Sequence, residues 1–143
     1  VIIIDFDNGL KSILASLVYT DVSEQEILII TANQWFDDSI LSEISIKNFY
    51  FPSVNLKNLK NFNQRFLETY KYKPNAITIL AYDSIGLIYY FWKNNIKINS
   101  AKDFNFKKEI KGKIGNFKIS NNKVIQKLKI YKLEDGSFIE NKF

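Results

Sequence analysis

The chain has 143 residues, of which 46% are apolar and 24% are charged, and its formal net charge is +5. This length and apolar content allow a folded domain with a hydrophobic core and argue against disorder. The sequence contains neither cysteine nor histidine, which excludes disulfides, thiolate metal sites and any site that relies on imidazole.

The positive charge is concentrated at the C-terminal end. Residues 97–143 carry 12 basic and 5 acidic side chains, whereas residues 1–96 carry 8 and 10. Arg65 is the only arginine, and recognition of phosphate or guanine usually draws on the bidentate arginine fork. We interpret this end as a solvated lysine-rich surface, with nucleic-acid binding as the minor alternative, and expect no nucleic acid among the partners.

The first 32 residues predict a βαβ unit. VIIIDF (residues 1–6) reads as a buried strand that ends in a polar turn at residues 7–9, LKSILASLVY carries one apolar helical stripe, and EILIITA (residues 26–32) is a second apolar run. Continuous apolar strands are typical of a parallel sheet covered on both faces. Because the chain has no methionine and opens directly on a strand, we expect it to be a piece of a longer protein.

Polar residues follow both predicted strands, at the carboxyl ends where ligands of open parallel sheets gather. Asp5 and Asp7 flank Phe6 at the end of the first strand, and they either reach a cleft or form only a polar turn. Gln34 and Trp35 follow the second strand. Gln34 is a candidate hydrogen-bonding residue there and Trp35 a candidate apolar wall.

An alternative explains the second polar segment without a ligand. Trp35 would only fill a surface of the fold, while Asp37 and Asp38 would cap a short helix at residues 39–43. The adjacent carboxylates of Asp37 and Asp38 lack a third carboxylate at ligand spacing, so we expect no metal site.

The middle of the chain predicts a strand over residues 47–51, a change of direction at Pro52, and two helices. LKNLKNFNQRFLETYKY is amphipathic, whereas PNAITILAYDSIGLIYYFW (residues 74–92) is apolar almost all the way round, with Asn75 as a candidate cap. The apolar segment of residues 76–92 is shorter than the roughly 20 residues that span a membrane, and it carries Asp83 near its centre. We therefore predict a buried helix and not a membrane span.

From Lys113 onward the pattern predicts an antiparallel meander. Its parts are KIGNFKIS, a turn at residues 121–122, a single strand VIQKLKIYKL, a turn at residues 134–136, and SFIE.

No pattern indicates catalysis. Ser84 lies in YDSIG, outside any G-x-S-x-G elbow, and no pair of acidic residues stands out as a glycosidase dyad. We expect a protein that is not an enzyme and has no cofactor.

Three stretches carry a family resemblance. NQWFDDSIL, FNQRFLETYKYKPNAITILAYDSIGL and KGKIGNFKISNNKVIQKLKIYKLEDGSFI are similar to the C-terminal portion of the type I periplasmic substrate-binding protein superfamily. The similarity is greatest to its branch of amino-acid ABC-transporter receptors and penicillin-binding-protein activators. The chain departs from the family pattern at Ser84, where alanine is usual, and at Asn121 or Asn122, where glycine is usual; asparagine tolerates the left-handed conformation of such a turn.

The resemblance implies an α/β fold made of three-layer parallel-sheet lobe pieces with a C-terminal antiparallel β meander. Residues 1–52 would belong to one lobe, residues 53–126 to the second lobe, and residues 127–143 to a strand region that crosses back. Such lobes hold and release a ligand by hinge motion. Much of each lobe's sheet would be missing from this chain, so we expect exposed apolar sheet edges and helix faces.

The resemblance also implies a function. The chain would be part of a solute-binding protein for a small polar ligand such as an amino acid, serving a membrane permease of an ABC transporter in the periplasm or cell envelope. The alternative is a non-transport cell-envelope regulator, similar to penicillin-binding-protein activators, that contacts an envelope synthase.

The predicted ligand-binding residues are Asp5, Phe6, Gln34, Trp35 and Tyr82. We expect Asp83 to accept hydrogen bonds from backbone or hydroxyl groups, because an unpaired buried carboxylate is costly.

Overall fold

The computed structural model describes residues 1–5, 7–20, 27–32, 49–105, 108–134 and 136–142. Over these ranges the protein is mixed α/β, which confirms the predicted fold class at that level. In chain order its elements are β1 (Ile2–Ile3), α1 (Asp7–Tyr19), β2 (Ile29–Thr31), β3 (Phe49–Ser53), α2 (Leu56–Tyr70), α3 (Ala76–Lys93), a 3₁₀-helix (Ala101–Phe104), β4 (Ile110–Lys111), β5 (Asn116–Ser120), β6 (Lys123–Gln126), β7 (Lys129–Glu134) and β8 (Ser137–Asn141).

The chain divides into two compact units. The first combines Val1–Ser53 with Leu128–Phe143, and the second is Val54–Lys127. The sheet of the first unit has the strand order β1-β2-β3-β7-β8, in which β1, β2 and β3 are parallel while β7 and β8 run antiparallel to their neighbours. The sheet of the second unit is antiparallel, in the order β4-β5-β6.

The predicted βαβ unit is confirmed, with a different start for its helix. Ile2 pairs with Ile30 and Ile3 with Thr31, in parallel. Helix α1 begins at Asp7, so the polar turn predicted at residues 7–9 is wrong. These residues form the first turn of the helix.

The predicted coverage of both sheet faces is also wrong at β1. Successive strand side chains point to opposite faces. Ile3 is buried, whereas Ile2 and Ile4 are 72% and 77% exposed. An unbroken apolar run therefore does not establish that both faces are covered. The exposure of Ile2 and Ile4 agrees with the expectation of exposed apolar sheet edges.

Strand β3 continues through Pro52, where the sequence predicts a change of direction. Pro52 pairs with Ile130 of β7, and β2 pairs only with Phe49 and Tyr50. Among the described residues, Pro52 therefore has no strand partner on the β2 side, and proline is tolerated at such positions. Phe51 of this strand is fully buried and forms part of an aromatic cluster with Tyr131 and Phe138.

Both helices of the second unit begin at an asparagine cap, of which the sequence analysis predicts only Asn75. The side chain of Asn55 caps α2 by accepting from the Asn58 N–H, and Asn75 caps α3 by accepting from the Thr78 N–H. Leu59 and Phe62 of α2 are buried, in agreement with its amphipathic pattern.

Helix α3 is not the buried helix that its composition predicts. Ile79, Leu87 and Phe91 are buried, but most of its other large apolar side chains are exposed, and Trp92 is 74% exposed. A helix is buried only if other elements pack around it, and the sequence of the helix does not specify those elements. Among the described residues, no helix is long and apolar enough to cross a membrane.

The C-terminal strands are antiparallel as predicted, but the predicted single strand over residues 124–133 is divided. Its first part is β6, which pairs with β5, and its second part is β7, which pairs with β3 and β8. Lys127 and Leu128 separate the two and belong to different units. Asn121 and Asn122 form the turn between β5 and β6 with φ of 51° and 58°, as expected for asparagines that replace glycine.

Candidate functional site

Three polar residues lie at the carboxyl ends of the three parallel strands in the first unit. Thr31 ends β2, Ser53 ends β3, and Asp5 follows β1 by two residues. Thr31 lies level with Ile3 in the strand register. Since Ile30 pairs with Tyr50, Thr31 is also level with Phe51, two residues before Ser53. Asp5 and Ser53 therefore sit about 7 Å further along the strand direction than Thr31.

Strand alternation assigns Thr31 and Ser53 to one face of the sheet, and Asp5 follows the end of the neighbouring strand β1. Ile3, Thr31 and Phe51 are level and all buried, and Asp5 and Ser53 are each two residues further along. Residues two apart in a strand project from the same face. A carboxylate and two hydroxyls are thus gathered at one edge, the position in which open parallel sheets bind ligands.

The carboxylate of Asp5 lies against the first turn of α1. A Cβ atom added at Gly9 would be 2.6 Å from Oδ1 and 2.7 Å from Oδ2 of Asp5. Only a glycine allows this approach, so Gly9 fixes where the carboxylate can sit. The Asp5 carboxylate therefore lies beside the first turn of α1.

The hydroxyl of Thr31 is the unusual group at this edge. Thr31 is 1% exposed, and its Oγ1 has no hydrogen-bond partner among the residues that the structure describes. A buried hydroxyl without a partner costs free energy. Sequence reasoning missed both hydroxyls, because Thr31 reads as an ordinary strand residue and Ser53 lies beyond the strand predicted over residues 47–51.

None of the other predicted ligand contacts is placed by the structure beside Asp5. Phe6, Gln34 and Trp35 lie outside the described residues, as do Asp37, Asp38 and the predicted helix at residues 39–43. Tyr82 belongs to the second unit, whereas Asp5 belongs to the first. The Tyr82 ring packs edge-on against Phe62 of α2, with ring centroids 5.3 Å apart, and about half of its surface is exposed.

Asp83 has the structural role predicted for it. Its Oδ1 accepts a hydrogen bond of 2.7 Å from the backbone N–H of Lys113, thirty residues further along the chain. Burial raises the pKa of this carboxyl, while the Lys113 hydrogen bond and the charge of Lys113 act in the opposite direction. Asp83 therefore ties α3 to the segment that leads into β5.

Gly112 makes that contact possible. A Cβ atom at this position would lie 2.6 Å from Oδ2 of Asp83 and 2.8 Å from the carbonyl oxygen of Gly115. The Gly112 N–H also donates to that carbonyl at 3.0 Å.

Over the described part of the chain, no group of three or more acidic, histidine or cysteine side chains could hold a metal ion. No protein-family model matches this sequence, and no curated protein matches it significantly. The resemblance to type I periplasmic substrate-binding proteins therefore rests on the residue patterns of the three stretches quoted above.

Proposed function

We propose that the chain is part of a non-enzymatic solute-binding protein for a small polar ligand such as an amino acid, of the kind that serves an ABC transporter in the periplasm or cell envelope. The observation that carries this proposal is the group formed by Asp5, Thr31 and Ser53 at the carboxyl ends of three adjacent parallel strands.

The chemistry of this group suits a ligand with both a positive charge and hydrogen-bonding groups. The carboxylate of Asp5 would receive a ligand ammonium, since burial of a cation requires a paired anion. The Thr31 hydroxyl, which lacks a partner among described residues, can donate or accept. Gln34 and Trp35 follow β2 closely along the chain, and they would add an amide and an apolar wall.

The division into two units also supports a receptor. The chain passes between the units twice, after Ser53 and after Lys127. Two lobes joined by short connections can close on a ligand by hinge motion, with a few residues absorbing the change in backbone angles. Tyr82, in the second unit, stays a predicted ligand contact.

Isothermal titration calorimetry against a panel of amino acids tests the proposal. We expect at least one ligand to bind, and the substitution Asp5→Asn to weaken it by about tenfold or more, because a charge-assisted hydrogen bond is lost. Glu134→Gln is the matched control, since Glu134 is an exposed carboxylate in the same unit, remote in sequence from the strand ends.

Absence of binding across the panel by a folded protein would contradict the receptor function. Equal effects of Asp5→Asn and Glu134→Gln would contradict the assigned role of Asp5. Circular dichroism of each variant separates loss of binding from loss of α1.

A second candidate function is a cell-envelope regulator that acts through protein–protein contact. The exposed apolar surface of α3 favours it. Ile77, Ile85, Ile88 and Trp92 are all more than half exposed, and contiguous apolar patches of this kind are rare on isolated proteins. The occupant would be a peptidoglycan synthase that offers an apolar helix face.

A pull-down with purified peptidoglycan synthases distinguishes this candidate from the receptor. Ile85→Ser should abolish capture, whereas Ser84→Ala on the same helix should leave it unchanged. Capture that survives Ile85→Ser, or no capture by the unmodified chain, would count against the regulator.

A further inference from the structure

The second unit contains a polar groove that is separate from the strand-end group. Its volume is about 510 Å³, within the usual range for small-molecule sites. One wall is the solvent-facing side of α2, and the other is the segment of residues 111–113. Unlike most ligand pockets, it is lined by amide and charged side chains and by Gly112, with no apolar side chain.

The charge of this groove is predominantly positive. Arg65, Lys111 and Lys113 line it, and Glu68 is the single acidic residue in the lining. Arg65 and Lys111 form no ion pair with the carboxylates that the structure describes. The Glu68 carboxylate accepts a hydrogen bond of 3.1 Å from the Gln64 side chain. Among the lining side chains the cations therefore outnumber the acidic group three to one, although the carboxylate of Asp83 behind Gly112 offsets part of the charge of Lys113.

The helix presents its polar groups as one stripe. Asn58, Asn61, Arg65 and Glu68 are spaced three or four residues apart, which brings them to the same side of α2. The buried side chains of α2, Leu59 and Phe62, belong to another side. The amides of Asn58 and Asn61 flank the guanidinium on the N-terminal side and provide both donors and acceptors.

The opposite wall is fixed in place by the fold. The Lys113 N–H donates to Asp83, the Gly112 N–H donates to the Gly115 carbonyl, and Lys111 pairs with Asn116 between β4 and β5. The N–H groups of Gly112 and Lys113 are thus already used. Recognition at this wall must come from the side chains of Lys111 and Lys113, held on a backbone that does not need to reorganise.

We propose that this groove binds a small anionic metabolite through a carboxylate or phosphate group. Arg65 provides the planar fork that matches either group, the two lysines add charge from the facing wall, and the asparagine amides bind polar substituents of the same molecule. The proposal does not depend on the receptor function, because its residues belong to a different unit from Asp5, Thr31 and Ser53.

Nuclear magnetic resonance titration of the ¹⁵N-labelled chain tests it, with inorganic phosphate in one series and succinate in another. We expect saturable shifts at the amides of Asn58, Asn61 and Arg65, and the tighter anion identifies the class of ligand. Binding should weaken as salt rises, since the groove is open to solvent. Sodium chloride at matched ionic strength is the blank.

Two variants determine whether the site is specific. Arg65→Gln should weaken binding by about tenfold, because it removes the charged fork. Lys97→Gln makes the same change of charge at an exposed lysine outside the groove and should have no effect. Non-saturating shifts with both anions, or equal weakening by the two variants, would overturn the proposal. Circular dichroism verifies that Arg65→Gln keeps α2.

Discussion

At the scale of single residues, the contact between Asp83 and Gly112 depends on both residue types. Asp83 supplies the carboxylate, and Gly112 has no side chain that would keep the backbone away from it. The carboxylate can accept the Lys113 N–H only if the chain at residue 112 approaches it closely. Two residues that look unrelated in the sequence are therefore parts of one contact. The role of Asp83 as an acceptor follows from its place in an apolar helix, whereas its partner could not be predicted, because the contact spans thirty residues.

The first prediction concerns Gly112→Ala. The added methyl group would meet Asp83, the Gly115 carbonyl and Phe117 at 2.6, 2.8 and 3.0 Å. Since a backbone carbonyl cannot move aside cheaply, we expect a loss of roughly 1–3 kcal/mol in the free energy of unfolding. Urea denaturation measures it.

Gly86→Ala is the matched control for that change. Gly86 lies within α3 and has no atom within 4 Å of the position of an added Cβ. Alanine should stabilise the helix there by roughly 0.5–1 kcal/mol. Equal effects at the two glycines would show that the close approach at Gly112 is unimportant.

The second prediction concerns the charge of Asp83. Burial raises its pKa in the folded state, so the folded chain holds this proton more tightly than the unfolded chain does. The resulting stabilisation is complete below the unfolded pKa, near pH 4, and is lost as pH rises through the folded pKa. Asp83→Asn should therefore gain stability relative to the unmodified protein as pH rises across this window.

Asp83→Ala separates the hydrogen bond from the charge. Asparagine can still accept from Lys113, but alanine leaves that N–H without its acceptor, at a cost of roughly 1–3 kcal/mol. Denaturation curves of the three proteins from pH 4 to pH 8 give the contribution of the hydrogen bond and that of the charge to the free energy of unfolding. A difference between the unmodified protein and Asp83→Asn that stays constant over this range would contradict the assigned pKa direction.

At the scale of elements, local patterns predict the helices better than the strands. The start of α3 is set by Asn75, whose side chain accepts from both the N–H and the hydroxyl of Thr78 at 2.8 Å. Such information is local and is visible in the sequence. The division between β6 and β7 is not local, because the residues on both sides of Lys127 have the same strand pattern and only their pairing differs.

The residues of the candidate site could likewise be predicted only where a local sequence pattern indicates them. Asp5 was predictable, since it follows an apolar run directly. Thr31 and Ser53 were not, because their importance depends on the register of β1, β2 and β3, which no local pattern encodes. The exposure of α3 is likewise a property of its surroundings and not of its composition.

The third prediction concerns the cap of α3. Asn75→Ala removes the acceptor for Thr78 and should destabilise the protein by about 1 kcal/mol, the usual value of an N-cap. Asn75→Ser keeps a side-chain oxygen at the cap and should cost much less. Thermal denaturation of the two variants compares them, and equal losses would mean that the cap bond contributes nothing.

At the scale of the whole molecule, the two units differ in how the chain builds them. The first unit needs two segments that are far apart in the sequence, because β3 near residue 50 pairs with β7 near residue 130. The second is one continuous segment with its own buried residues: Val54, Leu59, Phe62, Ile79, Leu87, Phe91, Ile114 and Phe117. A hydrogen bond from the Asn55 N–H to the Ile114 carbonyl joins its beginning to the connection between β4 and β5.

The fourth prediction follows from that continuity. The segment Val54–Lys127, produced alone, should fold cooperatively, because its core and the contact between Asp83 and Lys113 lie entirely within it. Circular dichroism should show its helices, with a single denaturation transition. Phe62→Ala in the same segment is the control: loss of a buried phenylalanine costs roughly 3–5 kcal/mol, a large part of the stability of a unit of this size, and should weaken or abolish the transition. A segment that is unfolded without any substitution would mean that the second unit depends on the first for its stability.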